Sequence, residues 1–157
     1  MSGFLFAAAA RATPDGRVEA LRVRFGARAA GWWRVAGDRL ERVAFAAAGD
    51  LPGGVAGEFA EATRSVPMGE ADLGIVRAAA SGAAVVSAAD DLPADSGSGL
   101  WLRRFGAARS VAVPVRDASG RVVGVVALAL AGGSADDAEV AGAVRAEGEG
   151  WAGGRWD

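Results

Sequence analysis

The chain has 157 residues, 52% of them hydrophobic, with 17 basic and 19 acidic side chains and a formal net charge of -2, which is the size of one domain able to bury a core without disulfide or metal staples. Every basic residue is arginine and none forms a block, which speaks against a nucleic-acid or polybasic membrane surface. With no Cys, His, Lys or Tyr, thiolate, zinc-finger, His-triad, imidazole-haem, Schiff-base and phenolic chemistries are excluded; any catalysis would fall to Asp, Glu, Ser, Thr and Arg, and no enzymatic activity is expected.

The apolar run Phe4–Ala10 is too short to span a bilayer and follows no basic residue, so it reads as a packed terminal element of an extension over residues 1–16, and a cytoplasmic protein is expected. After the turn Thr13-Pro14-Asp15-Gly16, the positions of Val18, Leu21 and Phe25 place them on one face of a helix, capped by Asp15 and ended by Gly26. Ala29–Ala36 and Leu40–Ala47 form a predicted hairpin turned at Gly37-Asp38. Trp32 and Trp33 must face opposite sides of it, and a sheet covered on both sides hides both. Arg39, Glu41 and Arg42 suit an edge strand guarded by charge.

Val55, Phe59 and Ala62 recur at helical spacing, in a helix weakened by Gly53, Gly54 and Gly57 and ended by Pro67. Asp72 is read as the cap of a second helix, Leu73–Ser81, which Gly82 stops, and Ala83–Ala88 as a short strand. Asp90–Gly99 is the most polar interior stretch and reads as a long loop of the kind that often carries function. Leu100, Trp101 and Phe105 then mark a short helix with Ser98 as cap and Gly106 as stop.

Arg109–Leu130 reads as a hairpin buried on both faces, because Val111–Val115 and Val122–Leu130 are Val-rich without apolar and polar alternation, and Asp117-Ala118-Ser119-Gly120 supplies the turn. Pro114 has no N–H for a ladder, so its nitrogen must face an unpaired position or a bulge. Ser134 is the predicted cap of a closing helix, with Asp136 and Asp137 in its first turn and Val140, Ala141 and Val144 as its apolar side. Gly148, Gly150, Gly153 and Gly154 predict a flexible tail over 148–157, leaving one domain over 17–147.

This order of elements resembles a GAF domain, a PAS-related sensory fold. The resemblance is carried by Trp33-Arg34-Val35-Ala36-Gly37-Asp38-Arg39-Leu40, by Leu73-Gly74-Ile75, and above all by Phe105-Gly106-Ala107-Ala108-Arg109-Ser110-Val111-Ala112-Val113-Pro114-Val115 running to Gly120-Arg121-Val122-Val123-Gly124-Val125-Val126. It implies an α+β fold: a central antiparallel sheet of five to six strands with helices on both faces. Numbering the five strands above in sequence, the implied order is 2-1-5-4-3, with Val122–Leu130 in the middle.

The resemblance further implies a stand-alone regulatory domain of signal transduction that holds a small molecule between the sheet and the segments after its second strand. Carried onto this chain, the pocket comprises Trp33, Phe59, Met68, Ile75, Val85, Trp101, Arg104 and Ser110. Asp90–Gly99 would be its lid, Arg103 or Arg104 would hold an anion, and Trp101 would stack on a planar ring. The residues alone give a plainer reading, with Trp101 in the core and the two arginines on a solvated or ion-paired face.

Asp90, Asp91 and Asp95 lack the spacing and glycine of an EF-hand loop, so no metal site is expected. The chain lacks the cysteine that carries a bilin, the cysteines of the methionine-sulfoxide-reducing branch, the histidine of haem sensors and the Asn-Lys-x-Phe-Asp-Glu signature of cyclic-nucleotide binders, and no cofactor is implied. The alternative function is a ligand-free association module whose cleft is filled by Met68, Phe59 and Trp101. The partners expected are a second copy, through the terminal helices, and a separate signalling protein, with no nucleic acid and no membrane.

Overall fold

The computed structural model describes residues 13–133 and 136–152; the Phe4–Ala10 run, Ser134, Gly153 and Gly154 lie outside the described residues. In chain order the elements are α1 (Pro14–Phe25), β1 (Ala29–Ala36), β2 (Arg39–Ala47), α2 (Val55–Ala62), β3 (Ser65–Pro67), α3 (Gly74–Ser81), β4 (Val85–Ala88), a 3-10 turn (Ala89–Asp91), α4 (Gly97–Phe105), β5 (Arg109–Arg116), β6 (Val122–Leu130) and α5 (Asp137–Ala152). The strands form one antiparallel sheet in the order β3-β2-β1-β6-β5-β4. This is the expected α+β architecture, with Val122–Leu130 near the centre and one strand added at the margin.

That added strand corrects two expectations. Pro67 does not end α2, which stops at Ala62, where the Thr63 hydroxyl turns back to donate to the Phe59 carbonyl at 2.8 Å; Pro67 instead closes β3. β3 pairs with Arg39, Leu40 and Glu41, so β2 is no edge and its charges guard none. Arg39 donates to the Ser65 hydroxyl at 2.6 Å, Glu41 pairs with Arg34 at 3.0 Å, and Arg42 donates to the Ala60 carbonyl.

Period-two alternation divides the central strands between two cores. On one face Ala30, Trp32, Val111, Val113, Val115, Val126, Leu128 and Leu130 pack against Val18 and Leu21 of α1 and Val140 and Val144 of α5. Trp33, Ala112 and Val125 point the other way, with Ile75, Val76 and Ala78 of α3. Both tryptophans are buried on opposite faces, as expected. A bulge sets Trp32 against Ala44 and Trp33 against Arg42. The two-residue step reverses the parity of β2, so Leu40 joins the core of Trp33 while Ala44 joins that of Trp32. Pro114 fits because β4 reaches only as far as Ala112, leaving no neighbour beyond it on that side.

The ends of the helices show where local signals misled. Thr13, not Asp15, caps α1, accepting from the Gly16 N–H at 3.0 Å, while Gly26 ends it at φ 59° as expected. α3 begins at Gly74 without Asp72: the Gly74 N–H donates to Ser98 Oγ at 2.9 Å, across 24 residues. Ser98 therefore caps α3 rather than its own helix α4. In the β5–β6 turn, Asp117 accepts from the Ser119 hydroxyl, which holds its carboxyl below the ordinary carboxylate range, helped by the N–H groups of Arg121 and Ser119.

The expected tail over 148–157 does not start at 148, because α5 continues to Ala152. Gly148 is buried against Val115, whose Cγ2 would stand 2.7 Å from a Cβ there. Trp151 reaches beneath the sheet, its ring 4.8 Å from that of Trp32. The glycine is a place of close approach rather than of fraying. Truncating Trp151 removes a buried aromatic from this contact, so Trp151→Ala is expected to destabilise the fold by about 3–5 kcal/mol, read as a lowered urea midpoint; an unchanged midpoint would show that the last turn of α5 is dispensable.

Candidate functional site

The second face of the sheet is floored by small residues. Across the strands, one row runs Phe45, Gly31, Ala127, Ala112, Val85 and the next runs Ala47, Ala29, Ala129, Ser110, Ser87. Gly31 has to be glycine, because a Cβ there would collide with the ring of Trp33, which lies over it. Above this floor stand Phe59 of α2 and Trp101 and Phe105 of α4, with ring centroids 5.1 Å from Phe59 in both cases. Phe45 closes the group at 5.3 Å from Phe59.

Small residues below and rigid rings above leave a cavity of about 60 Å³, bounded also by Thr63, Leu73, Gly74, Ile75 and Ser98. No charged side chain lines it. Ala127 lies in the middle of a central strand and yet keeps accessible surface. Trp33 is anchored at the rim, its indole N–H donating to the Thr63 carbonyl at 2.8 Å.

Five of the eight expected site residues meet at this cavity: Trp33, Phe59, Ile75, Trp101 and Ser110. The other three do not line it. Met68 and Val85 pack into the Trp33 core. Arg104 forms an ion pair with Glu58 and lies with its guanidinium 5.0 Å from the centre of the Trp101 ring, so its charge is already matched. Trp101 serves both readings made of it, being half-buried among the aromatic rings and in the cavity wall.

Arg103 holds backbone rather than a ligand. Its guanidinium donates to the carbonyls of Ala89 at 2.7 Å, Gly99 at 3.1 Å and Leu92 at 3.3 Å. These bonds, the 3-10 turn and the early start of α4 shrink the expected Asp90–Gly99 loop to residues 92–96. A second tie fixes its far end, where the Ser98 N–H donates to the Asp72 carbonyl at 3.1 Å while Ser98 Oγ caps Gly74.

Sequence reasoning missed Ser98, which lines the cavity with Gly74 and Ser110, while Ser87 is buried next to them outside the lining. Ser87, Ser98 and Ser110 converge on Gly74: a Cβ placed there would lie 3.3 Å from Ser87 Oγ and 3.8 Å from each of the other two hydroxyls. Ser87 is buried and its oxygen accepts from Arg77 at 2.8 Å. Ser87 and Ser110 are register partners, which was readable once the strands were aligned; the approach of Ser98 was not. Among the described residues no cluster of acids suited to a metal ion is found, and no helix is long and apolar enough to cross a membrane.

A six-stranded antiparallel sheet, closed by the terminal helices on one face and holding a small cavity under helices on the other, defines a sensory-type α+β domain. The chain belongs to the GAF domain family, whose model matches residues 16–144. No curated protein matches the sequence. Among solved structures it is similar to a type II free methionine-R-sulfoxide reductase from Thermoplasma acidophilum, with TM-score 0.67, 13% identity and coverage of 94% of this chain and 92% of that one. It is also similar to a free methionine-R-sulfoxide reductase from Neisseria meningitidis in complex with its substrate, with TM-score 0.59, 22% identity and coverage of 89% and 75%. A GAF domain from A. aeolicus in an inactive state is similar at TM-score 0.62 and 13% identity, with coverage of 88% and 80%.

These likenesses correct the expectation that the chain is not an enzyme: the first two of the structures just named are enzymes, so this fold gives no ground for excluding catalysis. The two arginines of α4 can be told apart experimentally. Arg103→Ala is expected to cost about 1–2 kcal/mol and to speed amide exchange over residues 89–99. Arg104→Ala should cost no more than about 1 kcal/mol, as for an exposed ion pair, and leave exchange there unchanged; equal exchange in both variants would refute the bracing role of Arg103.

Proposed function

We propose that this chain is a regulatory domain that binds a small molecule in the cavity between the sheet and α2, α3 and α4 as a step in signalling. The supporting observation is the accessible Ala127 at the centre of the sheet. A strand built for packing alone would carry a larger side chain there, since protein interiors are normally filled to crystal-like density. An apolar cleft with a few polar groups at one end is the usual form of a small-molecule site.

The aromatic cluster also favours a second reading, the ligand-free association module. Phe45, Phe59, Trp101 and Phe105 already take up much of the cleft. Pairing of two copies through the terminal helices would use their outer surfaces, because Val18, Leu21, Val140 and Val144 are buried in the protein's own core. Val23, 62% exposed on α1, is the apolar residue available there.

Native mass spectrometry and thermal shift with a metabolite panel decide between these readings when the wild type is compared with Ala127→Leu. The added side chain fills about two to three methylene-sized volumes of the cavity, and the variant is expected to stay folded. Retained mass or a metabolite-induced shift in the wild type, lost in the variant, supports the sensor. A ligand-free wild type with no shift overturns it in favour of association.

A further inference from the structure

We propose that the cavity over the Gly31 and Ala127 floor takes a small, neutral, hydrocarbon-like ligand and excludes ions. The inference rests on the small-molecule reading above and specifies the kind of molecule admitted.

The backbone of the floor has nothing to offer a polar ligand. Residues 29–31 of β1 pair with β2 on one side and β6 on the other, and residues 127–129 of β6 pair with β1 and β5. Ser110 and Ala112 likewise lie between β4 and β6. Their N–H and C=O groups are directed along the sheet to neighbouring strands rather than up into the cavity. The floor therefore presents side chains, and at Gly31, Ala112 and Ala127 these are a hydrogen or a methyl group.

The polar side chains of the lining are largely committed as well. The Trp33 indole N–H donates to the Thr63 carbonyl at 2.8 Å, the Thr63 hydroxyl donates to the Phe59 carbonyl at 2.8 Å, and Ser98 Oγ accepts from the Gly74 N–H at 2.9 Å. Among the described residues this leaves the Ser98 hydrogen and the Ser110 hydroxyl, the latter able to give or to accept. Two neutral hydroxyls bring no charge. An ion seated here would lose its hydration with no counter-charge in the lining, which costs far more than burying an unpaired neutral dipole.

Volume then separates a ligand from solvent. A water needs roughly 10–15 Å³ on this scale and about two to four polar partners, so a cavity of about 60 Å³ has room for about four to six non-hydrogen atoms but partners for about one water. Water over Gly31 and Ala127 would give up hydrogen bonds. A hydrocarbon there gives up none, and it gains dispersion contacts with the rings of Phe59, Trp101 and Phe105 above and with the sheet below. A branched four-carbon hydrocarbon fills the space.

Four molecules share one flat, three-armed skeleton and differ in polarity: 2-methylpropene, acetamide, acetate and guanidinium. Protein NMR titration of the wild type with each tests the proposal. 2-Methylpropene is expected to bind at least tenfold more tightly than acetamide, with shifts at the amides of residues 31, 112 and 127, and the two ions should leave those amides unmoved. Ala127→Leu should weaken 2-methylpropene at least tenfold and Ala112→Val, a smaller addition, severalfold; Ser110→Ala should leave it within about twofold, because the ligand needs no hydroxyl. Equal or tighter binding of acetamide or of either ion at those amides overturns the hydrocarbon class and leaves the small-molecule cavity standing. Binding of 2-methylpropene that both filling variants leave unchanged, or that Ser110→Ala abolishes, overturns it too. If none of the four binds, the hydrocarbon class falls and the metabolite panel decides the wider reading separately: a thermal shift that Ala127→Leu removes keeps that reading, and no shift overturns both.

Discussion

The structure depends on one asymmetry: the two faces of its central strands carry side chains of very different size. Val111, Val113, Val126, Leu128 and Trp32 are all fully buried on the face under α1 and α5. The opposite face carries Gly31, Ala29, Ala112, Ala127 and Ala129 in adjoining rows. Helices laid over the first face close on it, whereas the aromatic rings laid over the second cannot descend far enough to fill it. The cavity is what remains, held open by ring stiffness from above and by the sheet's hydrogen bonds from below.

Much of the fold was legible because its signals are local. Val-rich runs separated by turn residues marked both hairpins, and glycines at positive φ ended α1, α3 and α4 where the sequence suggested. The three-residue β3 was not legible, since a strand this short, ending in proline, has no periodicity to detect. The helix caps failed for a different reason: Ser98 finds its partner on another helix, and nothing near Ser98 in sequence announces that contact.

The site was half legible for a similar reason. The large residues Trp33, Phe59 and Trp101 drew attention, but the cavity is made by the small ones, which in an alanine-rich chain look like background. Valine and alanine both count as apolar, so the alternation of large and small along β5 and β6 was hidden inside what looked like a uniform run. Arginines were misleading as well. Their sequence positions do not reveal that Arg103 binds carbonyls and Arg104 a carboxylate, while Arg77, among the described residues, meets only a hydroxyl and a carbonyl.

Trp32 and Trp33 stand back to back on β1, one stacked on Trp151 at the end of α5 and the other lying over Gly31 at the cavity floor. The thickness of a single strand separates the cavity from the last turn of α5. A bulge falls between these two residues, at the point where a strand is most easily re-angled. Thermodynamic linkage makes such a lever symmetric: to whatever degree filling the cavity changes the seating of Trp151, anything that grips or releases that helix end changes affinity in the cavity by the same factor.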